Sequence, residues 1–280
     1  MAGHRQLDTR TMKTDTLPMS KEVLYSEHDG IGVVTINRPQ ARNALNWAAQ
    51  EQFSDIVNDI SDNLGPRALI ITGAGEKAFA SGGDLKELAG KDSKKTARRL
   101  LATMGLALNT LTQLPIPVIG SVNGDAIGGG CEILTACDLR ISKPLVQFRF
   151  AQIQVALTTG WGGTARLVRL IHLSRAMELL LTGRPFSTEE AYRIGFIHRV
   201  VGAKTVVLDE AIMMAAELIA LPSGALAAAK KLAWDSTNMG LNQAYLRERE
   251  GFIDLWPEKD HLEAMAAFNE KRPPRFGKPG

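Results

Sequence analysis

The stretch PVIGSVNGDAIGGGCEILTAC, residues 117–137, decides the fold class of this 280-residue chain. It begins with an apolar run typical of a β-strand, passes through a glycine-rich turn and continues as an apolar helical pattern. A strand that is apolar on both faces suits a parallel sheet covered by helices. Glycine lets the backbone of the turn approach a ligand closely, and the first turn of the helix offers free N–H groups. The stretch therefore predicts an α/β fold with a binding site at the turn.

A second glycine-rich segment, FASGGDL at residues 79–85, follows the apolar strand ALIIT at residues 68–72. Neither segment matches the P-loop pattern or the G-x-G-x-x-G pattern of dinucleotide sites. Two glycine-flanked amides that face each other can instead polarise a carbonyl as an oxyanion hole, in which one donor contributes roughly 3–4 kcal/mol of transition-state stabilisation. The alternative is that these glycines only allow tight packing of strands against helices.

The rest of the pattern divides the chain into a core that contains the sheet and a helical end. Further strands are predicted at residues 23–26, 32–37 and 138–142, with a turn at His28-Asp29-Gly30. A helix at residues 47–60 has Asn46 as its N-cap. Later helical patterns lie at residues 189–194, 206–220, 224–234, 243–256 and 258–269. We expect a flexible leader over residues 1–20, a core over 21–205 and a helical region over 206–280.

Composition excludes several classes of protein. Hydrophobic residues make up 45% of the chain and charged residues 22%, as in ordinary globular proteins. The net charge, 33 − 30 = +3, is too small to indicate a nucleic-acid binder. Cys131 and Cys137 are expected to be free buried thiols in a reducing compartment, either the cytoplasm or an organelle matrix. No cluster has metal-ligand spacing, and no run of eighteen apolar residues predicts a membrane span.

Several ordered blocks together resemble the crotonase (enoyl-CoA hydratase/isomerase) superfamily. They are FASGGDL, VNGDAIGGGCEILTACDL, TTGWGGTARLVRLI and AMELLLTGRPFSTEEAYRIGFIHRVV, with NRPQARNAL before them and AAFNEKRPPRF after them. The resemblance implies a β-β-α spiral core and a helical C-terminal region that trimerises, often as a dimer of trimers. It implies acyl-CoA thioester substrates, with the amides of Gly83 and Gly129 as the oxyanion hole. No metal, flavin or nicotinamide cofactor is implied, since coenzyme A is part of the substrate.

The acidic residues depart from the family pattern. Glu132 aligns with the first of two catalytic glutamates, although a carboxylate that only caps nearby amides is the alternative. Gln152 stands where the second glutamate is expected, and glutamine cannot carry a proton on and off near neutral pH. Hydration of a double bond needs proton transfer, whereas decarboxylation to a thioester enolate needs less help from acids. QFRF at residues 147–150 and GWGGT at residues 160–164 resemble the ethylmalonyl-CoA decarboxylase branch.

Further residues are candidates for contact with the substrate. Arg42 stands next to the segment containing Ala44 where relatives place a basic residue near the CoA phosphates, and exposure in a loop is the alternative. Lys230 is a candidate for the 3′-phosphate. The remaining candidates are Ser81, Asp84 and Leu85 in the oxyanion loop, Trp161 in the acyl pocket or in ordinary packing, and Arg149 facing either a malonyl carboxylate or solvent.

A basic helical face is the last feature with a functional interpretation. Its members share i, i+3, i+4, i+7 and i+8 spacing: Lys91, Lys94, Lys95, Arg98 and Arg99. A solvated surface, contact with CoA phosphates or an acidic subunit, and RNA binding all remain open.

The resemblance and the candidate residues together predict an acyl-CoA lyase of the enoyl-CoA hydratase type with one catalytic glutamate. A malonyl-type decarboxylase is the alternative, and a non-catalytic or RNA-binding relative is the alternative from another class.

Overall fold

In this computed structural model, the structure describes residues 21–63, 65–90 and 93–277. The predicted leader, residues 1–20, lies outside the described residues. The strands are β1 Val23–His28, β2 Ile31–Ile36, β3 Ala68–Gly73, β4 Ala78–Ala80, β5 Val118–Val122, β6 Asp125–Ile127, β7 Leu139–Ser142, β8 Gln147–Arg149, β9 Phe186–Ser187 and β10 Arg199–Val200. The helices are α1 Trp47–Asn63, α2 Leu85–Leu88, α3 Lys94–Leu100, α4 Leu106–Gln113, α5 Gly129–Ala136, α6 Gly163–Thr182, α7 Thr188–Arg193, α8 Val207–Ile219, α9 Ser223–Ser236, α10 Leu241–Leu255 and α11 Lys259–Glu270.

The larger sheet has the strand order β1-β2-β3-β5-β7-β10. Strands β1 and β2 are antiparallel, and the remaining neighbours are parallel. The turn between β1 and β2 is Asp29-Gly30, and both residues have positive φ, as a tight hairpin turn requires. Every residue of β3 and β5 is buried, which confirms the predicted parallel sheet covered on both faces.

A smaller sheet of order β4-β6-β8-β9 was not expected from the sequence. Its strands are only two or three residues long, which is too short for an alternating pattern to be recognised in the sequence. Its function in the fold is positional: β4 leads into the FASGGDL loop, and β6 leads into α5. The two glycine-rich segments therefore leave neighbouring strands, since β4 pairs with β6 in parallel.

Hydrophobic packing fills both faces of the larger sheet. One cluster lies between the sheet and the helices α1, α4, α5 and α6, and a second lies beneath α8, where Val207, Ala211 and Ala215 are buried. Cys131 and Cys137 belong to the first cluster as free, fully buried thiols, and burial raises the pKa of the Cys137 thiol to about 12. The prediction of free buried cysteines is confirmed.

The C-terminal helices are present as predicted, but they bury little within the chain. Helices α9 and α10 contain no buried residue, and Ala267 is the buried residue of α11. Several large apolar side chains of α10, of α11 and of the turn between them are more than half exposed, among them Leu241, Tyr245, Phe252, Trp256 and Phe268. A surface of this kind is unusual for a monomer and typical of an interaction face.

Candidate active site

The two glycine-rich loops meet at their backbones. A Cβ placed on Gly82 would lie 2.7 Å from the amide nitrogen of Gly129, and the φ of Gly82 is +80°, so glycine is required there for two reasons. Leu45 N donates to Gly82 O over 2.7 Å, and Asp84 N donates to Leu45 O over 2.9 Å. These bonds fix the loop on both sides of Gly83. Within the described residues, neither Gly83 N nor Gly129 N donates a hydrogen bond.

Two asparagine side chains hold the chain that leads into the first loop. The Asn43 amide, fully buried, donates to Ala78 O over 2.7 Å. Asn123 accepts a hydrogen bond from Gly73 N at 3.0 Å and donates to Gly75 O at 2.6 Å. Both asparagines therefore satisfy backbone groups of the turn between β3 and β4, and they place the Gly83 amide indirectly through β4.

Glu132 is almost fully buried and accepts four hydrogen bonds. Its Oε2 accepts from Trp161 N at 2.7 Å and Gly163 N at 3.0 Å, and its Oε1 accepts from Gln152 Nε2 at 2.8 Å and Gly160 N at 3.3 Å. Burial raises the pKa of this carboxyl, while the four N–H donors act in the opposite direction. The carboxylate thus caps the start of α6, as the alternative interpretation of the sequence proposed, and one oxygen retains a long, weaker bond.

Gln152 lies beside Glu132, where the alignment put it. Its Nε2 is used by Glu132, while its Oε1 is buried and has no hydrogen-bond partner among the described residues. A buried acceptor without a donor is costly unless a ligand or water supplies one. Gln152 therefore offers an acceptor, and no acid, at this position.

Apolar side chains surround the unused amides. A Cβ on Gly129 would lie 2.2 Å from Cζ3 of Trp161, so the indole ring packs directly on the Cα of Gly129, and Trp161 is 4% exposed. Leu88 and Leu100 lie nearest to Gly83. The chain around Leu101–Gly105 is a π-helical turn, a distortion that is frequent at functional sites. The two amides thus lie next to apolar side chains.

Sequence reasoning missed Arg166, which lies under Glu132 and is 8% exposed. Its Nε donates to Thr135 Oγ1 at 3.0 Å, and its Nη2 donates to the carbonyl oxygens of Glu132 and Trp161. No carboxylate in the described part of the chain forms an ion pair with it. An arginine three residues into a helical pattern carries no local signal for such a role.

The remaining residues of the oxyanion loop have structural contacts. Asp84 caps the N-terminus of α2 and pairs with Arg38 at 2.8 Å, and hydrogen bonding to that guanidinium lowers the pKa of the Asp84 carboxyl. Arg38 also donates to the carbonyl of Ala44. Ser81 is partly buried, and the side chain of Leu85 is 61% exposed.

The charged candidates lie apart from one another. Arg42 is exposed in a left-handed conformation with φ of 52°. Lys230 pairs with Asp138 at 2.7 Å and donates to Ile116 O at 2.9 Å, so its ammonium group is used within the fold. This ion pair lines a cavity of about 390 Å³ beside α9 and the C-terminal end of α5, the end opposite Gly129. Arg149 donates to Gly183 O at 2.6 Å, and this contact accounts for the direction of its side chain.

The structure describes four of the five residues of the predicted basic face. Helix α3 begins at Lys94, and Lys91 lies outside the described residues. Arg99 pairs with Glu51 and lies 4.4 Å from the centre of the Trp47 ring, so it is engaged with α1. Lys94, Lys95 and Arg98 are exposed. This face remains compatible with each of the three interpretations given above.

Two further observations concern metal-ligand clusters and membrane-spanning helices among the described residues. Over residues 21–63, 65–90 and 93–277, no three His, Cys, Asp or Glu side chains cluster in a way that could hold a metal ion. In the same part of the chain no single helix is long and apolar enough to cross a bilayer. Helices α8 and α9 have the required length and apolarity only when they are taken together, and they are bent by 107° relative to each other.

Comparisons with known proteins show the family and the fold of the chain. Residues 26–279 match the family described as "Enoyl-CoA hydratase/isomerase". The chain is 36% identical to a "Probable enoyl-CoA hydratase" of Mycobacterium bovis over 92% of this chain and 99% of the relative. It is 34% identical to the "Short-chain-enoyl-CoA hydratase" of Clostridium acetobutylicum, over 89% and 95% of the two chains. A crystal structure of enoyl-CoA hydratase from Bacillus anthracis superposes with a TM-score of 0.86 at 33% identity and covers 91% and 98%.

Proposed function

The chain belongs to the enoyl-CoA hydratase/isomerase family, and from that premise we propose that it is an enoyl-CoA hydratase-type lyase acting on an acyl-CoA thioester through an enolate. The observation that supports the proposal is that two amides without an acceptor among the described residues, Gly83 N and Gly129 N, lie on loops whose backbones are in contact. The thioester oxygen gains negative charge as the enolate forms. Each preorganised amide that meets this charge contributes roughly 3–4 kcal/mol of transition-state stabilisation.

Glu132 is the proposed acid and base of the reaction. It lies three residues after Gly129 in α5, and burial raises the pKa of its carboxyl above the ordinary value, which makes the group a better proton acceptor. Oε1 is the oxygen proposed to act, because one of its two hydrogen bonds is the 3.3 Å contact from Gly160 N. Water can replace that contact with less loss than either bond to Oε2.

The CoA moiety is proposed to follow the surface next to the oxyanion loop. Arg42 is exposed and free to hold a phosphate with both of its terminal nitrogens. Ala44, Ser81, Asp84 and Leu85 lie along the same loop and strand bridge. Lys230 is proposed to exchange its ion pair with Asp138 for a contact with the 3′-phosphate.

A malonyl-type decarboxylase, acting on methylmalonyl- or ethylmalonyl-CoA, is the second candidate, and Gln152 favours it. In that reaction the bond from the α-carbon to the carboxylate breaks, its electron pair forms the enolate, and CO₂ leaves. A proton then returns to the α-carbon from Glu132 or from water, so no second acid is needed. The free Gln152 Oε1 accepts a hydrogen bond without introducing a charge that would repel the substrate carboxylate.

A panel assay separates the two reactions. Loss of the enone absorbance of crotonyl-CoA reports hydration, and release of CO₂ from methylmalonyl- or ethylmalonyl-CoA reports decarboxylation. Glu132→Gln is expected to abolish the activity that the wild type shows, while the exposed control Glu248→Gln keeps it. Unchanged turnover in Glu132→Gln contradicts the assignment of the acid. Absence of both reactions, with salt-sensitive retention of RNA, indicates the binding protein instead.

Self-association is proposed for the C-terminal region, as a homotrimer or a dimer of trimers. Its support is the run of exposed apolar side chains on α10 and α11, which a second copy can cover. Light scattering after gel filtration measures the mass. A protein that stays at 30.4 kDa at micromolar concentration contradicts this part of the proposal.

A further inference from the structure

The turn at residues 160–163 supplies most of the donors that hold Glu132. Three of its amides, from Gly160, Trp161 and Gly163, bind the carboxylate, and Gln152 supplies the fourth donor. Residues 160–162 of the turn precede Gly163, the first residue of α6, so they belong to no strand or helix. What keeps it closed over Glu132 therefore determines how the carboxylate is solvated and charged.

The Arg166 guanidinium connects this turn to α5. Its Nη2 donates to Trp161 O in the turn and to the main-chain oxygen of Glu132, while its Nε donates to Thr135 Oγ1, one turn further along α5. A Cβ on Gly162 would lie 2.7 Å from Nη1, so the plane of the guanidinium also lies against the turn's backbone. One planar group thus binds both partners at once, which a lysine ammonium cannot do with the same geometry.

The charge of Arg166 is directed to the same carboxylate. Burial lowers the pKa of the Arg166 guanidinium, and the negative charge of the nearby Glu132 carboxylate acts in the opposite direction. The hydrogen-bond partners of the guanidinium are neutral oxygens. The other titratable group facing Glu132 is the thiol of Cys131 on α5, which burial keeps neutral. The residues of the turn and Gln152 carry no charge. A positive charge buried next to Glu132 with no other carboxylate partner stabilises the anion of Glu132.

We propose that Arg166 is a positioning residue that keeps the 160–163 turn closed over Glu132 and holds the carboxylate in its ionised, base-competent form. This inference deepens the proposed function and rests on it, since it concerns the charge state of the proposed acid and base. Arg166 acts through the turn and through Glu132 and makes no proposed contact with the substrate.

Two variants of Arg166, one variant of Thr135 and one matched control test the proposal. Arg166→Met removes the charge and the hydrogen bonds but keeps an apolar stem, while Arg166→Lys keeps only the charge. The control is Arg169→Met, which removes an arginine three residues later in the same helix. The Arg169 side chain is exposed and donates hydrogen bonds to Ala165 O, Thr237 and Asn238. Thr135→Val removes the acceptor of Nε and is the mildest change, so it remains informative where Arg166→Met fails to fold.

The readouts are the pH profile of kcat/KM and the titration of the Glu132 carboxyl carbon by NMR, assigned by its absence in Glu132→Gln. The carboxylate is lost as pH falls, so its loss moves to higher pH when the anion is less stable. We expect both midpoints to rise by about one pH unit in Arg166→Met, by less in Arg166→Lys and Thr135→Val, and not at all in Arg169→Met.

Unmoved midpoints in folded Arg166→Met, or in both Arg166→Lys and Thr135→Val, overturn the proposal. So does an equal rise in Arg169→Met, because the effect is then one of general charge. The NMR titration needs no turnover. A wild type without activity on any CoA thioester, but with the expected NMR shifts, refutes the proposed function and leaves the role of Arg166 standing.

Discussion

Alanine substitutions at the two proposed oxyanion glycines are expected to have opposite outcomes. At Gly129 the new Cβ would lie 2.2, 2.7 and 2.8 Å from three ring atoms of Trp161. Ordinary carbon contacts are about 3.5–4.0 Å, so the ring has to move by about 1 Å. The main-chain amide of Trp161 donates a hydrogen bond to Glu132, and its ring is buried, so the surrounding residues resist that movement. At Gly83 the nearest atoms are side-chain carbons of Leu88 and Leu100, at 3.5 and 4.0 Å, which are normal contacts.

The magnitudes follow from these distances. Overpacking of this kind costs about 1–3 kcal/mol of stability in Gly129→Ala. Displacement of one oxyanion donor lowers kcat by about 10²–10³. Gly83 has no positive φ, so Gly83→Ala keeps its N–H in place and gains about 0.4–1 kcal/mol from the lower entropy of the unfolded chain. Urea unfolding and the crotonyl-CoA assay measure both quantities on the same preparations.

A double variant tests the cause of the loss. Trp161→Ala alone leaves a cavity and is expected to destabilise by about 3–5 kcal/mol. In the Trp161→Ala background, however, Gly129→Ala has no ring to meet and is expected to cost nothing further, so the two changes are strongly non-additive. Equal activity and stability of Gly129→Ala and Gly83→Ala, or additive effects in the double variant, would refute this reasoning.

Three further predictions concern the acid, the backbone and a buried ion pair. Gln152→Glu brings a second carboxyl next to Glu132 and is expected to raise the rate of crotonyl-CoA hydration; an unchanged or lower rate contradicts the role given to Gln152. His172 has φ 63° and ψ 157°, a region nearly restricted to glycine, so His172→Gly should gain about 1 kcal/mol in urea unfolding while His172→Ala should not. Lys230→Met leaves the Asp138 carboxylate buried without its partner and is expected to cost about 3–5 kcal/mol, and removal of both charges is expected to cost less.

Elements with a long periodic pattern were predicted almost to the residue. The helix expected at residues 47–60 is Trp47–Asn63, and the Asn46 side chain accepts a hydrogen bond from Ala49 N at 2.9 Å, as an N-cap does. The strand expected at residues 68–72 is Ala68–Gly73. Burial on both faces makes such strands visible in sequence as nearly continuous apolar runs.

The contacts of the site could not be predicted, because they join residues far apart in the chain. Nothing in the sequence around Glu132 indicates that amides 28 to 31 positions later bind its carboxylate. Arg149 illustrates the same limit, since its strand position allowed either face, and the carbonyl of Gly183 settled its direction. The π-helical turn at Leu101–Gly105 was also not predicted from the sequence.

The two buried cysteines turn the protein into its own reporter of motion. Cys131 lies within the helix that carries Gly129 and Glu132, and Cys137 lies just after its end, so neither sulfur can meet a reagent while that helix stays in place. Burial also keeps both thiols protonated, and only the thiolate reacts. The rate at which an aromatic disulfide reagent modifies these thiols in the native protein therefore reports how often the α5 helix opens, without an added label. A substrate that binds against this helix is expected to lower that rate of modification.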